Sequence, residues 1–132
     1  MWAKLKRAFD FNDKTTVFTY GDTIYNPSGG ELSRDVVVHE SVHEQQQLML
    51  KRWWRSGARA WWNLYIKDPE FRLAQELQAY QTQYFFLLQG GMNRDRLAKR
   101  ISDMAYSLSS PMYGNIISYA DAVRRIRDNS LT

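Results

Sequence analysis

Apolar and polar positions along the chain follow two different rhythms. Thr16 to Tyr20 and Thr23 to Asn26 are β-branched and aromatic runs separated by Gly21-Asp22, a composition that predicts two short strands joined by a two-residue turn. Asn26-Pro27-Ser28-Gly29-Gly30 reads as a loop. From Glu31 to about Arg55 no Gly or Pro interrupts a mixed polar and apolar stretch, which predicts one long helix ending near Ser56-Gly57. Ala58 to Ile66 predicts a second, short helix. At Asp68-Pro69 an N-cap acid followed by a proline at the first helical position starts a third, running to Gly90-Gly91 with the apolar stripe Leu73, Leu77, Tyr80, Tyr84 and Leu88. Asn93 caps a fourth with Leu97, Ile101, Met104 and Leu108 on one face, stopping at Ser109-Ser110-Pro111. Ser118-Tyr119-Ala120-Asp121 has capping-box spacing before Val123 and Ile126. No internal repeat interrupts this order. The expectation is an α+β fold, mostly helical, with a short N-terminal β-ribbon followed by packed helices.

Length and composition narrow the class. A chain of 132 residues suffices for one hydrophobic core and not for two, so a single domain spanning residues 1–132 is expected. A hydrophobic share of 44%, with 14% aromatic, belongs to folded chains and excludes a disordered one. With no cysteine there is no disulfide framework, and any metal must be held by nitrogen and oxygen. The basic stretch Met1 to Phe9 is not followed by the apolar run of a signal peptide, and no segment approaches the roughly 18 apolar residues of a spanning helix. A cytoplasmic location is the default expectation, with no transmembrane segment. A net charge of +4 permits an acidic partner without implying one, and nothing argues for nucleic acid.

The chemistry concentrates in His39-Glu40-Ser41-Val42-His43, within the long predicted helix. At 3.6 residues per turn, histidines four apart share a face, about 6 Å apart along the axis, so both imidazoles can reach one ion. Zinc is the natural occupant. Glu40, one position from a ligand, can lie beside the water that zinc acidifies without ligating the metal, which is the place for a catalytic base. Catalytic zinc generally takes three protein ligands and leaves a fourth position open. With no third His and no Cys in the chain, the remaining ligand must be Asp or Glu. Glu76 lies on a later helix, with Ala79 one turn on to let that helix approach the first. A solvated helix glutamate is the plainer alternative. Glu44 lies about 140° around the helix from His39, and Glu70 falls in a first turn where the helix dipole already explains an acid.

Together these residues resemble the gluzincins, metallopeptidases with His-Glu-x-x-His on one helix and a Glu ligand on a later one. Their second motif often reads Glu-x-x-Ala followed by Asp or Asn, and Glu76-Leu77-Gln78-Ala79-Tyr80 matches all but the last position. The order of parts, from ribbon through Ile24-Tyr25-Asn26-Pro27 to motif helix and ligand helix, covers roughly residues 16 to 88 and is similar to minimal members found in bacteria and their phages. The resemblance implies a zincin-like fold, Zn2+ held by His39, His43 and Glu76, peptide or protein substrates, and hydrolysis with Glu40 as base; incorporation in a phage particle then joins the cytoplasm as an expected location. Tyr80 stands where the family often carries the acid or amide that orients a ligand histidine from behind, and is expected to take that part by its hydroxyl. With no histidine left to stabilise an oxyanion, Tyr113 and Tyr119 are the candidates.

Two other classes compete. A structural or assembly module, for example a phage particle component, would keep the fold, with or without the metal, and no turnover. The interleaved stretch Arg52-Trp53-Trp54-Arg55-Ser56-Gly57-Ala58-Arg59-Ala60-Trp61-Trp62 can mark a membrane surface or a stacking platform for single strands, although indoles packed around a helical corner explain it as well.

Overall fold

The computed structural model of the chain describes residues 14–51 and 56–128. The basic stretch 1–9 and the Arg52 to Arg55 part of the tryptophan and arginine segment lie outside them. Within them two strands and five α-helices follow in order: β1 (Phe18–Tyr20), β2 (Thr23–Tyr25), α1 (Arg34–Leu50), α2 (Gly57–Lys67), α3 (Pro69–Gln89), α4 (Arg94–Leu108) and α5 (Tyr119–Ile126), with a 3-10 turn at Pro111–Tyr113 between the last two helices. The expected class, α+β and mostly helical with an N-terminal ribbon, is the one the chain adopts.

The ribbon is antiparallel, with Phe18 opposite Tyr25 and Tyr20 opposite Thr23. Gly21 has φ +65°, a left-handed conformation that a turn this tight requires and that glycine adopts without strain. Phe18 stacks on Tyr25 at 4.9 Å and meets the edge of Trp62 at 6.1 Å, which fastens the ribbon to α2.

The caps expected at Asp68, Asn93 and Ser118 fall where the sequence puts them, each accepting a backbone N–H of the first turn it precedes. Ser56, expected only at the end of the long helix, caps α2 in the same way. Helix α1 departs from expectation at its end, stopping at Leu50 rather than running on toward Arg55. The cause is the return of the chain: Gly57 lies against the last turns of α1, so close that a Cβ there would sit 2.0 Å from the Gln47 carbonyl oxygen. A helix continued through Arg55 would carry the chain roughly 12 Å along the axis from Gln47, more than the two residues on to Gly57 can recover.

Two apolar clusters form among the described residues. One joins α3, α4 and α5 through Leu77, Tyr84, Met104, Leu108 and Ile126; the other joins the ribbon to α2 through Phe18, Trp61, Trp62 and Tyr65. Between them α1 packs antiparallel on α3 by way of polar residues. The buried positions of α1 are Asp35, His39, Glu40, His43, Gln46 and Gln47, while Leu48 and Met49 face outward. On α3 a second buried stripe, Arg72, Glu76, Ala79 and Gln83, lies beside the apolar one. This polar stripe shifts the centre of the buried arc, so Leu87 is buried and Leu88, expected in the stripe, is 41% exposed. Among the described residues no helix is long and apolar enough to cross a membrane.

Candidate metal centre

The polar seam between α1 and α3 holds the motif residues. Their spacing places His39 and His43 on the inner face of α1, and the Nε2 atoms of both lie 3.2 Å from Glu76 Oε1 on α3. Ala79 is fully buried and gives the helices the clearance for this approach. For zinc bonds of 2.0 to 2.1 Å, the edges of a coordination tetrahedron measure about 3.3 Å, so both separations suit ligands sharing one ion. Among the described residues these three are the only group of His, Asp and Glu side chains able to converge in this way. Glu44 instead borders a groove beside Gly21 and Lys51, and Glu70 is exposed.

The other ring nitrogens decide what this convergence means. His43 Nδ1 lies 2.8 Å from Gln46 Oε1 and His39 Nδ1 lies 3.0 Å from Gln83 Oε1. Both amides are oriented by acceptors. Gln46 Nε2 donates to the Gln75 carbonyl and to Gln78 Oε1, and Gln83 Nε2 donates to Asp35 Oδ2. Each Oε1 must therefore face its imidazole and can only accept, so each Nδ1 carries the proton and donates. A neutral histidine so arranged presents the Nε2 lone pair to the cluster. Two lone pairs and a carboxylate oxygen then meet in a buried space, an arrangement that repels itself unless a cation lies among them.

Without a metal, a proton answers the same demand. Burial opposes charge on His43, but the adjacent Glu76 carboxylate outweighs it, so the imidazole pKa rises to about 9. Burial alone would raise the pKa of Glu76; the two histidines reverse this and hold its carboxyl far below the usual range. Tyr65 donates to Glu76 Oε2 at 2.8 Å, and burial followed by the Glu76 charge pushes the phenol pKa well up, so it stays a donor. The imidazoles are also held by packing, His43 against the Trp61 ring at 5.1 Å and His39 against Tyr80 at 4.4 Å.

Glu40 turns from the same helix toward the ribbon, where the Thr19 hydroxyl donates to its Oε2 at 3.0 Å. Burial raises the Glu40 pKa against the opposing pull of both histidines, which moves the carboxylate toward the range a general base needs. Glu40, the two histidines and Glu76 border one cavity, walled by residues 16–19, by the α2 aromatics and by Met112 and Tyr113. Its free volume is about 40 Å3, enough to admit water beside Glu40.

The tyrosines divide. Tyr113 lies on the cavity wall, with its hydroxyl 2.9 Å from that of Tyr80. Tyr119 is 46% exposed on α5, where its hydroxyl meets Ser102, and it is not brought to the cavity. Tyr80 touches His39 by its ring alone. Its hydroxyl bonds Tyr113 and Ser107, because the His39 Nδ1 it was expected to reach is taken by Gln83. Tyr80→Phe is accordingly expected to leave zinc affinity unchanged within about threefold and to lower stability by about 2 kcal/mol, roughly 1 kcal/mol for each of the two hydrogen bonds its hydroxyl makes; chelator competition and denaturant melts check both.

The residues that sequence reasoning missed are those around the ligands: Thr19, Gln46, Tyr65, Gln83 and Asp35. Only Asp35, four before His39, and Gln46, three after His43, carried a local signal, since both share the helix face of the histidines. Comparison with known proteins gives no match: no family model fits the chain, and neither a curated protein nor a solved structure matches it.

Proposed function

We propose that the chain is a zinc-dependent peptide hydrolase in which His39, His43 and Glu76 hold the metal and Glu40 is the general base. The observation that carries this reading is the meeting of two imidazole Nε2 atoms and a carboxylate oxygen, with both Nδ1 atoms facing amide oxygens, so that the neutral imidazoles turn their lone pairs to the cluster. The donor set fits zinc, with nitrogen and carboxylate ligands in the number that leaves one position open. A closed structural site would need a fourth ligand of this kind, and the described residues bring none to the group.

Zinc held there would act as a Lewis acid, polarising a carbonyl and lowering the pKa of water to about 7. The chain's own residues supply the rest. Thr19 holds Glu40 Oε2, so the carboxylate's other oxygen is the one to accept a proton from water in the cavity. Tyr113 is the donor for charge developing on a substrate oxygen. Burial, reinforced by the negative charge of Glu76, raises its pKa well above the ordinary value and keeps its proton in place.

The purified chain is expected to carry about one zinc, and its melting temperature to fall on chelation, since the metal ties α1 to α3 and stabilises only the folded state. At zinc 100-fold above its dissociation constant the linkage amounts to about 2.7 kcal/mol. Metal analysis that finds no zinc, with a melting curve that added zinc does not move, removes the reading.

A further inference from the structure

Gln83 appears in no metal motif, yet its amide is held in a way that matters for His39. Gln83 lies on the polar stripe of α3, two turns beyond Glu76, and is buried. A free glutamine side chain can offer either its oxygen or its NH2 to a neighbouring imidazole. Which end it offers selects the tautomer: an oxygen demands Nδ1–H and leaves Nε2 free for a ligand role, whereas an NH2 demands a bare Nδ1 and puts the proton on Nε2, where it blocks metal.

Asp35 makes the choice. It lies buried in the first turn of α1 and accepts from Gln83 Nε2 at 2.8 Å. Arg100, reaching across from α4, donates to the same Asp35 oxygen. Burial pushes the Asp35 carboxyl up, but the bonds from Gln83, Ser33 and Arg100 more than reverse this, so it remains an acceptor. The matching amide behind His43 is oriented differently, by the Gln75 carbonyl and the Gln78 side chain. The two ligand histidines thus have separate supports, and that of His39 runs through a charged pair joining α1 to α4.

We infer that Gln83 is the positioning residue of His39, and that Asp35, braced by Arg100, acts on the metal site only by fixing which end of the Gln83 amide faces the imidazole. This rests on the zinc reading above and goes beyond it by assigning the side chains that make His39 competent. Gln83→Met keeps the volume and removes the acceptor; Asp35→Ala leaves Gln83 in place and frees its amide to turn over.

The test is a double-mutant cycle on Zn2+ affinity, measured by chelator competition on the full chain, with metal-free melting curves to establish folding. Gln83→Met is expected to weaken zinc roughly 10- to 100-fold, the range of outer partners of ligand histidines. Asp35→Ala should weaken it by no more than that, and the double variant should match Gln83→Met within about twofold, because Asp35 has nothing left to orient. Spectra of the zinc-loaded wild type, which need no variant to fold, should show a slowly exchanging His39 Nδ1–H proton. Unchanged affinity in Gln83→Met, additive losses in the double variant, or zinc on His39 Nδ1 overturns the inference while leaving the metal site standing. A wild-type chain without zinc affinity overturns both.

Discussion

Glu76→Gln is expected to abolish tight zinc binding while leaving the chain folded. The substitution keeps shape, and the new amide oxygen can still accept from the Tyr65 hydroxyl that now reaches Glu76 Oε2 at 2.8 Å. That orientation turns the NH2 toward the two Nε2 atoms, which now share Glu76 Oε1 at 3.2 Å each. Two lone pairs facing a donor make a satisfied metal-free cluster and a poor one for a cation. The loss in affinity should exceed the roughly 100-fold that an outer partner commands, because a charged ligand is removed. Glu44→Gln and Glu70→Gln are the controls. Glu44 borders a groove beside Lys51 and Glu70 is exposed, so neither carboxylate is placed to replace the ligand. Chelator competition on the three variants decides the assignment; a larger loss in either control would transfer the ligand role and remove the support that the gluzincin resemblance lends.

The contrast between those glutamates shows what the sequence could and could not tell. Helix boundaries were legible wherever a side chain signals locally. Asp68-Pro69, Asn93 and Ser118 announce their helices by groups that bond the first turn, and each does so. The end of α1 was not legible, since it depends on Gly57 meeting a carbonyl ten residues earlier in the chain. Leu88 was misplaced for a related reason. An apolar period locates one buried face, and α3 has a second face buried through Arg72, Glu76 and Gln83, which hydrophobic counting passes over.

The same limit applies at the centre. His39, Glu40 and His43 could be read because four-residue spacing on a helix is itself a geometric statement. Glu76 could be singled out only by elimination and resemblance, although the structure brings it to the histidines. Tyr80 illustrates the opposite case: helical spacing put it near His39, and it does pack there, but spacing does not say where a hydroxyl points. Thr19, Tyr65 and Gln83 come from three different elements and meet the motif only through tertiary packing. The clearest sign open to inspection of the sequence was indirect. An uninterrupted helical stretch whose regularly spaced positions are Asp35, His39, His43 and Gln46 rather than apolar residues is one whose buried face serves something other than a core.

Glu40→Gln separates binding from chemistry. Glu40 is not among the converging ligand atoms, and Thr19 can donate to a glutamine oxygen as it does to Oε2, so the variant should fold and keep zinc within about tenfold of the wild type. What it loses is the capacity to take a proton. With its oxygen turned to Thr19, the amide presents NH2 to the cavity, and among the described residues no other carboxylate borders that space except Glu76, which the histidines hold far below the basic range. General-base catalysis contributes roughly 100- to 10,000-fold, and hydrolysis should fall by that factor. The measurement pairs zinc affinity with turnover of a mixed peptide library read by mass spectrometry. Zinc lost with activity would make Glu40 a ligand rather than a base. Activity retained with zinc would move the base elsewhere, and a wild-type chain that binds zinc but cleaves nothing would leave the metal centre as an assembly or structural device.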